Sequence, residues 1–197
     1  MKKIEFYREL SKLKKTGVNK AHLEQYRTDI ETAYELTSFI ASKIGIEGKT
    51  VADLGCGDGI LGIAAGLMHA GNVDMYDIDK NAVSVAEENI TLLGLKNARA
   101  IDMDVFDVKK RYDIAVSNPP FGLQSNFDVK AFIKKAEELS DNLFFVYKDN
   151  KAIRKTAEDN GLQVLKINDL KIEKSLPFHK KDYYTLPVVI VYKTGGS

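Results

Sequence analysis

From Thr50 the chain reads Thr-Val-Ala-Asp-Leu, then Gly55-Cys56-Gly57-Asp58-Gly59, before an apolar run that begins at Ile60. Glycines at alternate positions after a strand let the backbone turn tightly and approach a ligand with no side chain between. The run 60–70 has few turn formers and reads as a helix, so the loop joins a strand to a helix. Upstream, Ile30, Ala33, Leu36, Ile40 and Ile44 recur at the helical period until Gly45 and Gly48 stop them. Downstream, strands are expected at 73–76, 98–101, 113–116, 142–147, 162–167 and 188–192, with helices at 81–93, 129–139 and 151–160. Apolar strands taking turns with helices predict an α/β fold, a mostly parallel sheet with helices on both faces. Ligands bind such sheets at the carboxyl ends of the strands, where the order reverses. Three motifs, at Gly55, Asp77 and Asn118, fall at predicted carboxyl ends.

No repeat or linker divides the 197 residues, and 44% hydrophobic content supports one core, so 30–197 reads as a single domain and 1–29 as an N-terminal extension. The longest apolar stretch, 60–68, is shorter than the ~20 residues that cross a bilayer, and no apolar segment follows the lysine-rich start. A soluble, cytoplasmic protein is expected. Cys56 is the single cysteine, which excludes an internal disulfide and a cysteine-rich metal site. His22, His69 and His179 have no metal-site spacing, so no metal is expected. The net charge of +1 is unevenly spread: residues 1–20 carry seven Lys/Arg against two Asp/Glu, 21–147 twelve against twenty, and 148–181 nine against five. Basic ends gathered on one side would attract a phosphate backbone; the alternative is two separate solvated helix faces.

The glycine loop admits two cofactors. Gly57, Gly59 and Gly62 satisfy the dinucleotide pattern, and Asp77 lies twenty residues beyond Gly57, where a ribose-binding acid belongs. A dinucleotide, however, would set its anionic pyrophosphate between Asp53 and Asp58. S-adenosylmethionine carries a sulfonium and an ammonium group, for which two carboxylates are favourable neighbours, so it is the expected ligand. Asp77 can accept from both ribose hydroxyls, Ile78 offers an apolar face to adenine, and Asp104, or in its place Asp102, can accept from the adenine amine. Asp79 reads as a helix N-cap.

Asn118-Pro119-Pro120-Phe121 follows a strand. Two prolines remove two backbone donors and fix two φ angles, and Asn118 adds a side-chain carbonyl. The result is an acceptor-only cradle for an amino group, with Phe121 as a stacking face for the ring that bears it. A planar aromatic amine is the implied substrate.

Asp53-Leu54-Gly55-Cys56-Gly57 together with Asn118 to Phe121 resembles the Rossmann-like class I methyltransferases that modify the exocyclic amine of adenine. With Leu23-Glu24-Gln25-Tyr26, Tyr76-Asp77-Ile78-Asp79 and Phe178-His179-Lys180-Lys181 added, residues 23–192 resemble the methyltransferase-like protein 5 family, N6-adenine methyltransferases of small-subunit ribosomal RNA. The resemblance implies a seven-stranded sheet whose last strand is antiparallel. It also implies cofactor contacts from Gln25, Thr28, Gly55, Asp58, Ile60, Asp77, Asp104 and Val105, and catalysis by Asn118 to Phe121. A small zinc-containing activator protein over an apolar sheet edge is implied as well. Gly57 and Gly59 complete the expected cofactor loop, and Phe178 to Lys181 are read as an RNA contact. Two positions depart from the family pattern: Arg27 stands where proline is usual, and Asp58 where a small residue or cysteine is common. Rival readings are methylation of guanine N2 or of protein glutamine, an NAD-dependent oxidoreductase, and a non-catalytic RNA-binding subunit.

Overall fold

The computed structural model describes residues 1–16, 27–119, 128–173 and 183–195. In chain order these form α1 (Lys3–Leu10), α2 (Ile30–Ile44), β1 (Thr50–Leu54), α3 (Ile60–Leu67), β2 (Asn72–Asp77), α4 (Lys80–Leu93), β3 (Ala98–Asp102), a single 3-10 turn at Val105–Asp107 and β4 (Ile114–Ser117). Then come α5 (Val129–Leu139), β5 (Leu143–Lys148), α6 (Lys151–Asp159), β6 (Gln163–Lys166), β7 (Leu170–Glu173), β8 (Tyr183–Leu186) and β9 (Val188–Lys193). Seven strands make one sheet in the order β3-β2-β1-β4-β5-β9-β6, and β7 pairs with β8 in a separate hairpin. The pairings from β3 through β5 are parallel; β9 runs antiparallel to both β5 and β6. The sheet is the predicted one, its last strand reversed.

Alternation in β5 shows how the core is divided. Phe144 and Val146 pack into one buried cluster with Phe6, Leu36, Ile63 and Ala86, while Leu143, Phe145 and Tyr147 pack into another with Phe132, Ile133 and Ile153. Successive strand residues point to opposite faces, so α1 to α4 cover one face and α5 and α6 the other. Local chemistry sets the helix ends. Asp29 accepts from the Thr32 amide (2.8 Å) at the start of α2, and Asp79 accepts from the Asn81 amide (2.9 Å) at the start of α4. Gly94, at a φ of 63°, closes α4.

Two elements lay outside the sequence expectation. Helix α1 buries Phe6 and Leu10 completely or nearly so, at 0% and 1% exposure, one helical turn apart inside a run dominated by charge. The β7–β8 hairpin is built from four-residue strands, too short for a period to register. Of the two readings of the basic ends, α1 and α6 follow the second, since they lie on opposite faces of the sheet. Lys3 and Lys14 are also paired with Glu31 and Glu88. Among the described residues no helix is long and apolar enough to cross a membrane.

Candidate active site

The strand order reverses between β1 and β4, which are hydrogen-bonded neighbours with Asp53 opposite Val116. The ends of these strands are tied together: the Ser117 hydroxyl donates to the Leu54 carbonyl. Gly55 and Asn118, each the next residue along, therefore leave the sheet side by side at its switch point.

The glycine loop folds over the end of β2. The amides of Gly55 and Cys56 both donate to the Tyr76 carbonyl at 2.8 Å, and the Gly57 amide donates to Asp77 Oδ2 at 2.8 Å. Gly55 and Gly57 hold φ angles of 73° and 57°, with nothing within 4 Å of where a Cβ would stand. The left-handed backbone requires glycine there, and the open space is the close approach the sequence suggested. By contrast, a Cβ on Gly62 would collide with the Met75 sulfur, so α3 lies tight against β2.

Asp53, 1% exposed, accepts from the Gly62 amide through Oδ2 at 2.8 Å, while its buried Oδ1 has no hydrogen-bond partner among the described residues. Burial first, then the nearby Asp77 and Asp58 carboxylates, push its carboxyl up to about 7. A buried acceptor held in an acidic setting fits a cationic group such as the ammonium of S-adenosylmethionine and would repel a pyrophosphate.

Asp58 behaves differently. It is 3% exposed, and its carboxylate takes the Nε hydrogen of Arg27. Burial raises the Asp58 carboxyl above its ordinary range, and the Arg27 charge and hydrogen bond pull it back. The two departures from the family pattern are thus partners. The charge that Asp58 lends the loop is countered within the protein, and the uncompensated acidity rests on Asp53 with Asp77. Removing Arg27 leaves a buried carboxylate unpaired. Arg27→Ala is expected to cost about 2 kcal/mol, less than for a fully buried pair because Arg27 is 23% exposed, and to lower Tm by roughly 4–8 °C at this chain length. Adding Asp58→Asn should recover more than half of that loss in thermal melts; an unchanged Tm for the single variant contradicts the pairing.

Asp77 Oδ1 accepts from the Asp79 amide at 2.9 Å. With Gly57 on Oδ2, the carboxylate has spent two of roughly four acceptor sites and retains capacity for ribose hydroxyls. Ile78 beside it is 72% exposed. Asp104 Oδ1 caps the following 3-10 turn by accepting from the Phe106 amide at 2.9 Å, and Val105 begins that turn. Asp102 lies 3.5 Å from the Lys80 ammonium. Asn118 is half-buried; its Nδ2 donates to Thr28 Oγ1 at 2.9 Å, and Pro119 after it is buried. The expected residues Gln25, Pro120, Phe121, Phe178, His179, Lys180 and Lys181 lie outside the described residues.

Sequence reasoning missed Asn89. It sits fully buried on α4, exchanges hydrogen bonds with the Lys14 backbone (2.8 and 3.0 Å) and donates to the Asp58 carbonyl at 2.9 Å, linking the N-terminal segment to the loop. A polar residue on the same helical stripe as Ala82, Ala86 and Ile90 was the available signal. Phe106 and Met103, near Asp104, are exposed apolar side chains, at 44% and 38%. No group of three His, Cys, Asp or Glu among the described residues could hold a metal ion.

A sheet with one reversed strand, a glycine loop at its switch point and a buried acceptor for a cation define a class I S-adenosylmethionine-dependent methyltransferase. Residues 25–166 match the model of the methyltransferase small domain. The chain is 31% identical to the rRNA N(6)-adenosine-methyltransferase METTL5 of Danio rerio, covering 81% of this chain and 82% of that one. It is 30% identical to an uncharacterised protein of Methanocaldococcus jannaschii, covering 92% and 89%. The crystal structure of a Pyrococcus horikoshii protein provisionally assigned as an RNA methyltransferase superposes with a TM-score of 0.83 at 33% identity, over 98% of this chain and 99% of the other. The chain belongs to the methyltransferase small domain superfamily and, within it, to the METTL5 family.

Proposed function

We propose that this protein methylates the N6 amine of an adenosine in small-subunit ribosomal RNA, in the cytoplasm, with S-adenosylmethionine as methyl donor. The observation that carries the reading is the meeting, at one switch point, of a cation-seeking carboxylate, Asp53, with an amide, Asn118, whose Nδ2 end is committed to Thr28. When bound, S-adenosylmethionine supplies an electrophilic methyl group on a sulfonium.

The chain's own residues do the rest. Asp53 Oδ1 would accept from the donor's ammonium, the open faces of Gly55 and Gly57 would let its methionine end lie against backbone, and Asp58, Gly59 and Ile60 would border it. Asp77 accepts from the ribose hydroxyls, while Ile78, Asp104 and Val105 surround the adenine; Gln25 adds a contact from the N-terminal segment. Asn118 Oδ1 and the carbonyls of Pro119 and Pro120 accept the two hydrogens of the substrate amine. Acceptors on both hydrogens favour pyramidal nitrogen and turn its lone pair outward, so alignment and exclusion of water supply most of the acceleration. No strong base is needed, because the methylated amine is acidic enough to lose its proton to solvent. Phe121 stacks on the target ring, which must leave its own stack to reach the pocket.

Phe178 to Lys181 lie in the connection between β7 and β8 and are the proposed RNA contact. Reversing both charges with Lys180→Glu and Lys181→Glu should weaken RNA binding and flatten the slope of log affinity against log salt by about 1.4–1.8; an unchanged slope in filter-binding titrations removes these lysines from the interface. A zinc-containing partner of the kind the family resemblance implies would take one of the two open sheet edges, β3 or β6. The reaction itself is tested by incubating the protein with methyl-labelled S-adenosylmethionine and small-subunit ribosomal RNA, then digesting to nucleosides. Label in N6-methyladenosine is expected. Label in N2-methylguanosine would contradict it, as would transfer to glutamine when ribosomal protein is supplied in place of the RNA, and RNA binding without transfer would mark a non-catalytic subunit.

A further inference from the structure

An amino acid carries its ammonium and its carboxylate on one carbon, so a methyl donor whose ammonium meets Asp53 Oδ1 brings an anion to the same place. That place is acidic, since the Asp77 and Asp58 carboxylates both act on Asp53. The glycine loop has little to offer an anion in return. The amides of Gly55, Cys56, Gly57, Gly59, Gly62 and Ile63 all donate within the protein, and Asp58 takes that of Ile60. Asp53 and Asp58 thus occupy the start of α3, where the unspent amides of a helix would otherwise receive an anion. The donor's carboxylate needs a side chain to meet it.

Arg27 is a basic side chain that touches the loop. Its Nε donates to Asp58, and Thr28 next to it accepts from Asn118 at the end of β4, so residues 27 and 28 bridge the two strand ends at the switch point. A guanidinium presents five N–H donors in a rigid fork. Among the described residues Arg27 uses the one on Nε, which orients the group and leaves the edge formed by Nη1 and Nη2. That edge matches a carboxylate through two parallel hydrogen bonds. The side chain is partly buried, where such bonds are stronger than in open water. We propose that Arg27 is a cofactor-binding residue whose Nη1–Nη2 edge receives the α-carboxylate of S-adenosylmethionine while Asp53 receives the ammonium. The two charges of the amino-acid end are then read by separate side chains. This role rests on the reading that S-adenosylmethionine binds with its ammonium on Asp53.

Arg27 also pairs with Asp58, so the test is made where Asp58 is already neutral. Decarboxylated S-adenosylmethionine keeps the sulfonium and the ammonium and lacks the carboxylate. Calorimetric Kd values for it and for S-adenosylmethionine are compared in Asp58→Asn and in Asp58→Asn combined with Arg27→Ala. Removing Arg27 is expected to reduce the preference for the intact compound at least about tenfold, as loss of a charge-assisted hydrogen bond does, while the Kd of the decarboxylated compound stays within about threefold. Arg27→Gln alone, which still offers Asp58 a donor, should lose the same preference. Equal weakening of both compounds, or an unchanged preference, would leave Arg27 a partner of Asp58 only and overturn the proposal. A parent protein that binds neither compound, or an Asp53→Asn variant that binds both as before, would instead overturn the cofactor reading beneath it.

Discussion

Asn118→Ala should reduce methyl transfer by roughly 100- to 1000-fold, the cost of removing one preorganised polar group from a reacting centre, while S-adenosylhomocysteine binds within a few-fold of the parent in calorimetry. The separation follows from the geometry. Asn118 leaves β4, the strand beside β1, while the glycine loop leaves β1, and the Asn118 side-chain amide donates to Thr28. Its loss removes an acceptor for the substrate amine and leaves the Asp53, Gly57 and Asp77 contacts intact. If cofactor binding collapses together with transfer, Asn118 belongs to the cofactor site or the fold, and the division of labour between the two strand ends is wrong.

Asp53→Asn should separate stability from binding. The Asp53 carboxyl is raised from 3.8 to about 7 in the folded protein, so folding favours its protonated form. Below pH 3.8 the group contributes no pH-dependent difference. As pH rises from there to 7 the folded chain keeps a proton that the unfolded chain has lost, and the stability attributable to Asp53 falls; above 7 the full cost is present. Asparagine retains an acceptor for the Gly62 amide and escapes that cost. The variant is therefore expected to melt roughly 4 °C or more above the parent at pH 8, with little gain at pH 4. Its affinity for S-adenosylmethionine should drop at least about tenfold, or ~1.4 kcal/mol, because the ammonium loses its countercharge. Binding to the parent protein should tighten as pH rises from 6 to 8 and release up to about half a proton at pH 7, read from calorimetry in buffers of different ionisation enthalpy. A variant that melts lower at pH 8 and binds as before would show that Asp53 is structural.

What could be read from the sequence was whatever is written in consecutive residues. The loop from Gly55 to Gly59 carries its own signal, because positive φ at alternate positions demands glycine. The Asp79 cap, the stop at Gly94 and the strand leading into Asn118 are equally local. Pairings across the fold were not legible. Arg27 and Asp58 appeared as two separate departures from a family pattern, and only the folded chain, which brings them together over 31 positions, shows them to be one ion pair. The pairing also corrects a charge argument, since Asp58 was counted as free to attract a cation. Asn89 and Thr28 make contacts with distant backbone and side chains, for which neither periodicity nor composition gives a sign. Helix α1 was hidden because two buried side chains cannot set a period among the charged residues that surround them.

The mechanism turns on which atoms meet the substrate amine. A crystal structure with S-adenosylhomocysteine and an adenosine nucleotide answers this directly. The adenine N6 should lie about 3 Å from Asn118 Oδ1, with Asn118 Nδ2 still on Thr28 and the homocysteine ammonium on Asp53. An adenine bound elsewhere, or an Asn118 amide turned to present Nδ2 to the ring, would contradict the mechanism.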